Sequence, residues 1–254
     1  MPIDDEILRR ARKSDRAAVE TVAAECYPTI HRVAHALTGD PVLAQRVLRV
    51  VLHHGVRVMP NWRKGIIPEN WFYHHTLLTA RQTRRRPPPP DRDLLVTAGP
   101  STEPAYAAFI RALRTLPGQQ MEAFVLHHGE KLNPRLLGVA MDCSTLAATN
   151  HLTAATTALQ ALAGENFDAL TGAFERAYHN LTPPETVIHG TVRRQVGSLV
   201  WRRRVRRLIR RLILLAILAA IAYLVWRWHV QLLQWYHDLR ARMTAAPPGP
   251  TTKP

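Results

Sequence analysis

Leu132-Asn133-Pro134-Arg135-Leu136-Leu137-Gly138-Val139-Ala140-Met141-Asp142-Cys143-Ser144-Thr145-Leu146 decides the fold of this chain. Asn133 can cap a helix, and Pro134 then occupies its first position, where a missing N–H costs nothing. Asp142-Cys143-Ser144 reads as a tight turn. Ser144 can cap a second helix that runs through Leu146, Leu152, Ala155 and Leu159. Upstream, Ala112-Leu113-Arg114-Thr115-Leu116-Pro117 closes one element. Gly118 to Leu126 opens the next, with Met121, Phe124 and Val125 at helical spacing. The stretch from Ala112 to Leu162 therefore predicts three short helices, the last two forming a helix-turn-helix.

The chain has 254 residues, enough for one large or two small domains. Gly is sparse and β-branched alternation is almost absent, so the expectation is an all-α protein. Two features punctuate the N-terminal part. Gly39 ends one helix, and Asp40-Pro41 starts the next. Arg84-Arg85-Arg86-Pro87-Pro88-Pro89-Pro90 closes the region, because four prolines favour extended polyproline II. Helix resumes near Ala105. Beyond it, Phe167, Leu170, Phe174 and Tyr178 share one helical face. Thr182-Pro183-Pro184-Glu185 then breaks the chain, and another helix begins at Pro184 or Glu185 and heads toward Trp201.

From Leu113 to Leu162 the order of elements resembles the C-terminal DNA-binding domain of bacterial RNA polymerase sigma factors of the extracytoplasmic-function type. Asp4 to Arg86 resembles the other domain of that family. The residues that carry this second resemblance are Ser14-Asp15-Arg16-Ala17-Ala18, Tyr27-Pro28, Leu37-Thr38-Gly39-Asp40, Ala44 to Val51, and Trp71-Phe72-Tyr73 through Arg84-Arg85-Arg86. The resemblance implies two small helical domains, one like sigma region 2 with three or four helices and one like region 4 with a helix-turn-helix. It implies a polymerase-docking helix with Ala44, Gln45, Arg46, Leu48 and Arg49. It implies a promoter −10 contact helix with Trp71, Tyr73, His74, Arg81, Arg84, Arg85 and Arg86, whose rings and cations suit single-stranded DNA. Trp71 and Phe72 fit a core reading as well. It further implies a recognition helix with Thr149, Asn150 and His151. Core RNA polymerase, promoter DNA and an anti-sigma or other membrane regulator are the implied partners.

The departures from the family fall on functional surfaces. The docking helix holds Gln45, Arg46 and Arg49 where the family has an acidic pair and a Gln. Like charges brought together at such an interface cost several kcal/mol. The recognition helix, Ser144 to Leu162, contains no Lys or Arg. The positions that match the family's basic residues are Thr149, His151, Ala154, Thr156 and Thr157. Phosphate contacts by cations supply most non-specific DNA affinity, so duplex binding by this helix should be weak. Leu136-Leu137-Gly138 and Ala147-Ala148 replace two further family signatures and suggest a surface that packs on protein.

The net charge of +15 is unevenly placed. Residues 201–254 hold 11 Lys/Arg and one acid, Asp238, which leaves 23 and 18 for residues 1–200. Arg202, Arg203, Arg204, Arg206, Arg207, Arg210 and Arg211 form a basic cluster. Leu212 to Trp226 follows without a charge. Those 15 residues span roughly 22 Å as a helix, short of the ~30 Å hydrocarbon core unless the helix continues to Leu233 with Arg227 snorkelling. Trp201 on one side and Trp226, Trp228, Trp235 and Tyr236 on the other match interfacial belts. The expectation is a single membrane span over 212–233, with the arginines and the N-terminal domains on the cytoplasmic side of a bacterial membrane. The expected organisation is 1–86, linker 87–104, 105–163, a helical extension 164–200, the basic segment 201–211, the span, and a tail 234–254.

No secretion signal is expected, because Asp4-Asp5-Glu6 is acidic and no apolar run follows. Cys26 and Cys143 fall in different halves and read as free thiols. His31 and His35, four apart on a helix, lack a third ligand, so no metal or cofactor is expected. No phosphate loop, nucleophile elbow or carboxylate pair argues for an enzyme. Two readings remain: a membrane-tethered sigma factor, or a sigma-like membrane-bound interaction module without promoter recognition. A nucleic-acid binder acting through the Arg-rich tail alone is a more distant third.

Overall fold

A computed structural model describes residues 3–83 and 104–244. Among the described residues there are ten α-helices and no strand, as the sequence predicts. Arg84, Arg85 and Arg86, at the end of the expected first domain, and residues 87–103 of the expected linker lie outside the described residues, whereas Pro104, the last residue of that linker, opens the next helix. The chain divides into two compact units, Met1–Val200 and Trp201–Pro254.

The first unit begins with four helices. They are α1 (Asp5–Arg12), α2 (Arg16–Thr38), α3 (Pro41–Val58) and α4 (Pro68–Thr83). Their starts are set by local chemistry. The Asp15 carboxylate accepts from Ala17 N at 3.0 Å, and that of Asp40 accepts from Val42 N at 2.7 Å. The α2–α3 corner works as expected, with Gly39 at φ 66° closing α2. α2 is the central element, packed by α1, α3 and α4. It stays helical through Pro28, which its sequence alone did not announce. Tyr27, Ile30, Leu37, Leu48 and Phe72 are fully buried in this core.

The second half of the unit is built on the helix-turn-helix. α5 (Pro104–Thr115) and α6 (Gly118–Phe124) lead into a π-helical turn, Val125–Gly129. α7 (Pro134–Met141) and α8 (Thr145–Ala163) follow. The Asn133 side chain accepts from Leu136 N at 3.0 Å, and the Ser144 hydroxyl accepts from Ala147 N at 3.1 Å. Asp142 takes the left-handed conformation at φ 58° to make the turn. A Cβ on Gly138 would stand 2.9 Å from the Cys143 carbonyl oxygen, so only glycine lets α7 come this close to the turn. Ala148, Ala155 and Leu159 of α8 are buried, while Leu146, in the expected apolar series, is 70% exposed. α9 (Phe167–Asn180) buries Leu170, Phe174 and Tyr178 on the predicted face. The Phe124 ring lies between Phe109 and Phe174, with centroids 6.0 and 5.6 Å away.

The two halves of this unit pack on each other. α4 meets α7, and α2 meets both the π-helical turn and α9. α10 (Glu185–Thr244) starts where the sequence indicates but continues well past Trp201. Its first turns bury Ile188, Val192 and Val196, spaced four apart, in the first unit.

In the second unit α10 contains an exposed apolar stretch. Leu208–Trp228, 21 residues, is long and apolar enough to cross a membrane, with no part of its window buried. At about 1.5 Å per residue it reaches roughly 31 Å. This removes the shortfall reckoned from Leu212–Trp226. The apolar window starts earlier than residue 212, because Leu208 and Ile209 precede Arg210 and Arg211 and long Arg side chains can snorkel. Arg210 and Arg211 are exposed, and the side chains of Arg202, Arg203, Arg204, Arg206 and Arg207 lie outside the described residues. Trp201, Trp226, Trp228, Trp235 and Tyr236 are all more than half exposed.

Candidate nucleic-acid interface

α4 carries most of the residues the sequence marks for single-stranded DNA. One turn spacing aligns Tyr73, Leu77 and Arg81 on a single face. That face is turned inward. Tyr73 is 7% exposed and Leu77 is 1% exposed. The Tyr73 hydroxyl donates to Glu130 Oε2 at 3.1 Å. His74 Nδ1 stands 3.3 Å from the Ala140 carbonyl oxygen, on α7. Arg81 grips Glu122 of α6 with two prongs, Nε to Oε1 at 3.0 Å and Nη2 to Oε2 at 2.6 Å. The Glu122 side chain is fully buried. Its hydrogen bonds to Arg81, first, raise the guanidinium pKa further.

Trp71 is half-buried in an aromatic group. Its ring is 3.9 Å from His75, 5.0 Å from Phe72 and 5.5 Å from both His54 and Trp62. Burial, then the neighbouring His54 and His74, lowers the His75 pKa to about 4, so the ring is neutral near pH 7. The core reading of Trp71 and Phe72 is therefore met for Phe72 outright and for Trp71 in part.

Glu130 joins three helices of the unit. It follows the π-helical turn, and Lys131 after it takes φ 55°. Its carboxylate accepts from Arg32 Nε at 3.0 Å and from the Tyr178 hydroxyl at 2.7 Å, in addition to Tyr73. Arg32 of α2 continues to the Thr182 hydroxyl at 3.0 Å and lies 5.7 Å from the Tyr178 ring centroid. Burial first, then the Glu130 charge, pushes both tyrosine hydroxyls well above their usual range, so each holds its proton and donates. Burial opposes the Arg32 charge, and Glu130 more than offsets it. Sequence reasoning missed both Glu130 and Glu122. Glu122 follows two glutamines in a short helix and Glu130 stands just past the π-helical turn, so no local pattern marks either one.

The docking-helix residues separate by face. Ala44 and Leu48 of α3 are core, while Gln45, Arg46 and Arg49 are exposed. On α8, Asn150 is exposed, but Thr149 and His151 are half-buried, and the Thr149 hydroxyl donates to the Thr145 carbonyl at 2.9 Å. The open surface of α8 is made by Leu146, Asn150, Thr153, Ala154, Thr157, Ala158, Ala161 and Leu162, none of them charged. His31 and His35 have ring centroids 5.7 Å apart, and among the described residues no three potential metal ligands converge. A cleft of about 220 Å³ between α1, the Trp62–Ile67 loop and the start of α4 mixes Asp5 and Glu69 with Arg12 and Arg63, without a set suited to chemistry.

No protein-family model matches the chain, and no curated protein matches it. Among solved structures, it is similar to the sigma factor RpoE of Bartonella quintana, determined in complex with the anti-sigma factor NepR. The identity is 16% and the TM-score 0.45, over 56% of this chain and 93% of that chain.

Proposed function

We propose that this protein is a membrane-tethered, sigma-factor-like regulator that directs RNA polymerase to promoters. The observation that carries the reading is the pairing of a ring-and-cation helix, α4, with a capped helix-turn-helix in one compact unit, followed by an apolar helix long enough to span a bilayer. In this reading Gln45, Arg46 and Arg49 offer the exposed face of α3 to core polymerase. Trp71, Tyr73, His74, Arg81 and Arg84–Arg86 take unpaired promoter bases and backbone. Thr149, Asn150 and His151 approach duplex DNA. The span is Leu208–Trp228, with the arginine cluster at the cytoplasmic headgroups and the first unit in the bacterial cytoplasm. A membrane-bound partner then controls access to the first unit.

A second reading has its own support. The exposed face of α8 holds no cation, and that of α3 carries arginine where attraction to polymerase calls for acid. A sigma-like module that binds protein rather than promoters fits those two surfaces. Capture of bacterial core RNA polymerase by the full chain in detergent separates the readings. Stoichiometric capture, with transcription from a selected promoter, supports the first. Absence of capture by a folded, helical sample overturns it in favour of the second.

A further inference from the structure

Three of the α4 residues that the proposed function assigns to DNA are occupied by the other half of the same unit, while Trp71 packs on rings of its own half. Tyr73 is taken by Glu130, His74 by the Ala140 carbonyl, and Arg81 by Glu122. These three contacts come from the end of the π-helical turn, from α7 and from α6. Tyr73 and His74 stand on one turn of α4 and Arg81 about two turns further on, so a nucleic-acid strand cannot reach that face while the halves are together.

One residue sits where the contacts converge. Glu130 is 7% exposed at its side chain and binds α2 through Arg32, α4 through Tyr73 and α9 through Tyr178. Arg32 carries the connection beyond α9 to Thr182, just ahead of α10. A buried carboxylate needs several donors to hold its charge away from water, and here they come from three separate helices. Losing any one donor weakens the hold on the others. Arg114 of α5 adds a second tie. Its guanidinium lies where a Cβ on Gly39 would stand, at the negative end of α2.

We infer that Glu130 is the keystone of an autoinhibitory clasp that closes the DNA face of α4 against the helix-turn-helix half, and that separation of the halves at Glu130 switches the protein on. This rests on the proposed function for what the opened face binds, but the clasp itself stands on the geometry. Because Tyr178 and Thr182 lie at the end of α9 and before α10, a change in the segment leading to the membrane acts directly on the clasp.

The test uses the full chain in lipid nanodiscs, with Cys26→Ala and Cys143→Ser and spin labels at Lys64→Cys and Ala161→Cys, both exposed and in opposite halves. Glu130→Gln keeps the side chain's size but removes its charge. Hydrogen bonds to charged groups at this strength place the expected rise in the long-distance population at about tenfold or more, and that for Tyr178→Phe at about threefold. Binding of a fluorescein-labelled single-stranded DNA 12-mer is measured on the same variants without labels. Opening with a parallel gain in DNA affinity is the expected result. Opening without DNA binding upholds the clasp and overturns the DNA reading of α4. A single short distance in both variants, with helix content unchanged, overturns the clasp. If Glu130→Gln loses its circular-dichroism signal, Tyr178→Phe, which removes one hydroxyl, decides alone.

Discussion

Two helices of this chain invite comparison, α4 and α8. α4 has the chemistry for nucleic acid, namely Trp71, Tyr73, His74 and Arg81, but its polar groups are spent on Glu130, Glu122 and the Ala140 carbonyl. α8 has the accessible position of a recognition helix, but its open face is Leu146, Asn150, Thr153, Ala154, Thr157 and Ala161, without a single cation. Where the means to bind exist, access is closed. Where access is open, the means are missing. The difference teaches that exposure and composition have to be read together: an arginine in an α4-like helix says nothing about DNA until its partner is known, and a helix-turn-helix says nothing about affinity until its outer face is inspected.

The largest effect expected from breaking this contrast comes from Arg81→Ala. It takes the Arg81 guanidinium away from a fully buried carboxylate, Glu122, and loss of a charged partner to a buried charge costs roughly 3 kcal/mol. Urea denaturation should register that loss, whereas Arg49→Ala, on the exposed face of α3, should stay within about 0.5 kcal/mol. Equal effects at the two arginines would mean that Arg81 is as free as Arg49. Next, Asn150→Arg with Ala154→Arg supplies α8 with what it lacks. If α8 faces DNA, duplex affinity rises about tenfold at low salt and the salt slope steepens by nearly one unit per phosphate reached. An unchanged slope would assign that face to a protein partner. Ser144→Ala removes the cap that starts α8 and should cost about 1 kcal/mol, seen as a lower urea midpoint with an unchanged m-value.

The smallest effect is on pH dependence. Burial lowers His75, beside α4's aromatic group, and His128, beside Phe124 in the other half, each to about 4. Between pH 6.5 and 4 the unfolded chain takes up these protons and the folded chain does not. Stability is therefore full above pH 6.5 and falls as the pH drops through that window. Both rings keep some contact with solvent, so the slope is shallow. Urea midpoints at pH 7, 6 and 5, compared for wild type and His75→Asn, check the sign. A midpoint that rises on acidification would contradict the assigned burial.

Much of the fold was legible because it is written locally. Asn133, Pro134 and Ser144 act within three residues of where they stand, and so do Gly39 and Asp40. The face Leu170–Phe174–Tyr178 follows from helical periodicity alone. The site was less legible because its partnerships are distant in sequence. Arg32 and Glu130 are 98 residues apart, Tyr73 and Glu130 are 57 apart, and Arg81 and Glu122 are 41 apart. No spacing rule connects them. Leu146 misled because the apolar series does not share one face: standing two residues before Ala148 and nine before Ala155, at about 100° of rotation per residue, it lies on the opposite side of α8 from the buried positions.

Hydroxyl-radical footprinting of the full chain in nanodiscs, read residue by residue by mass spectrometry, tests the contrast between α4 and α8 most directly. Tyr73 and Leu77 are expected to be protected while Leu146 and Leu162 are oxidised readily, despite the greater intrinsic reactivity of tyrosine. Oxidation of Tyr73 at the rate of a solvent-exposed tyrosine would contradict that expectation, because the face of α4 proposed to bind DNA would then be open in the resting protein.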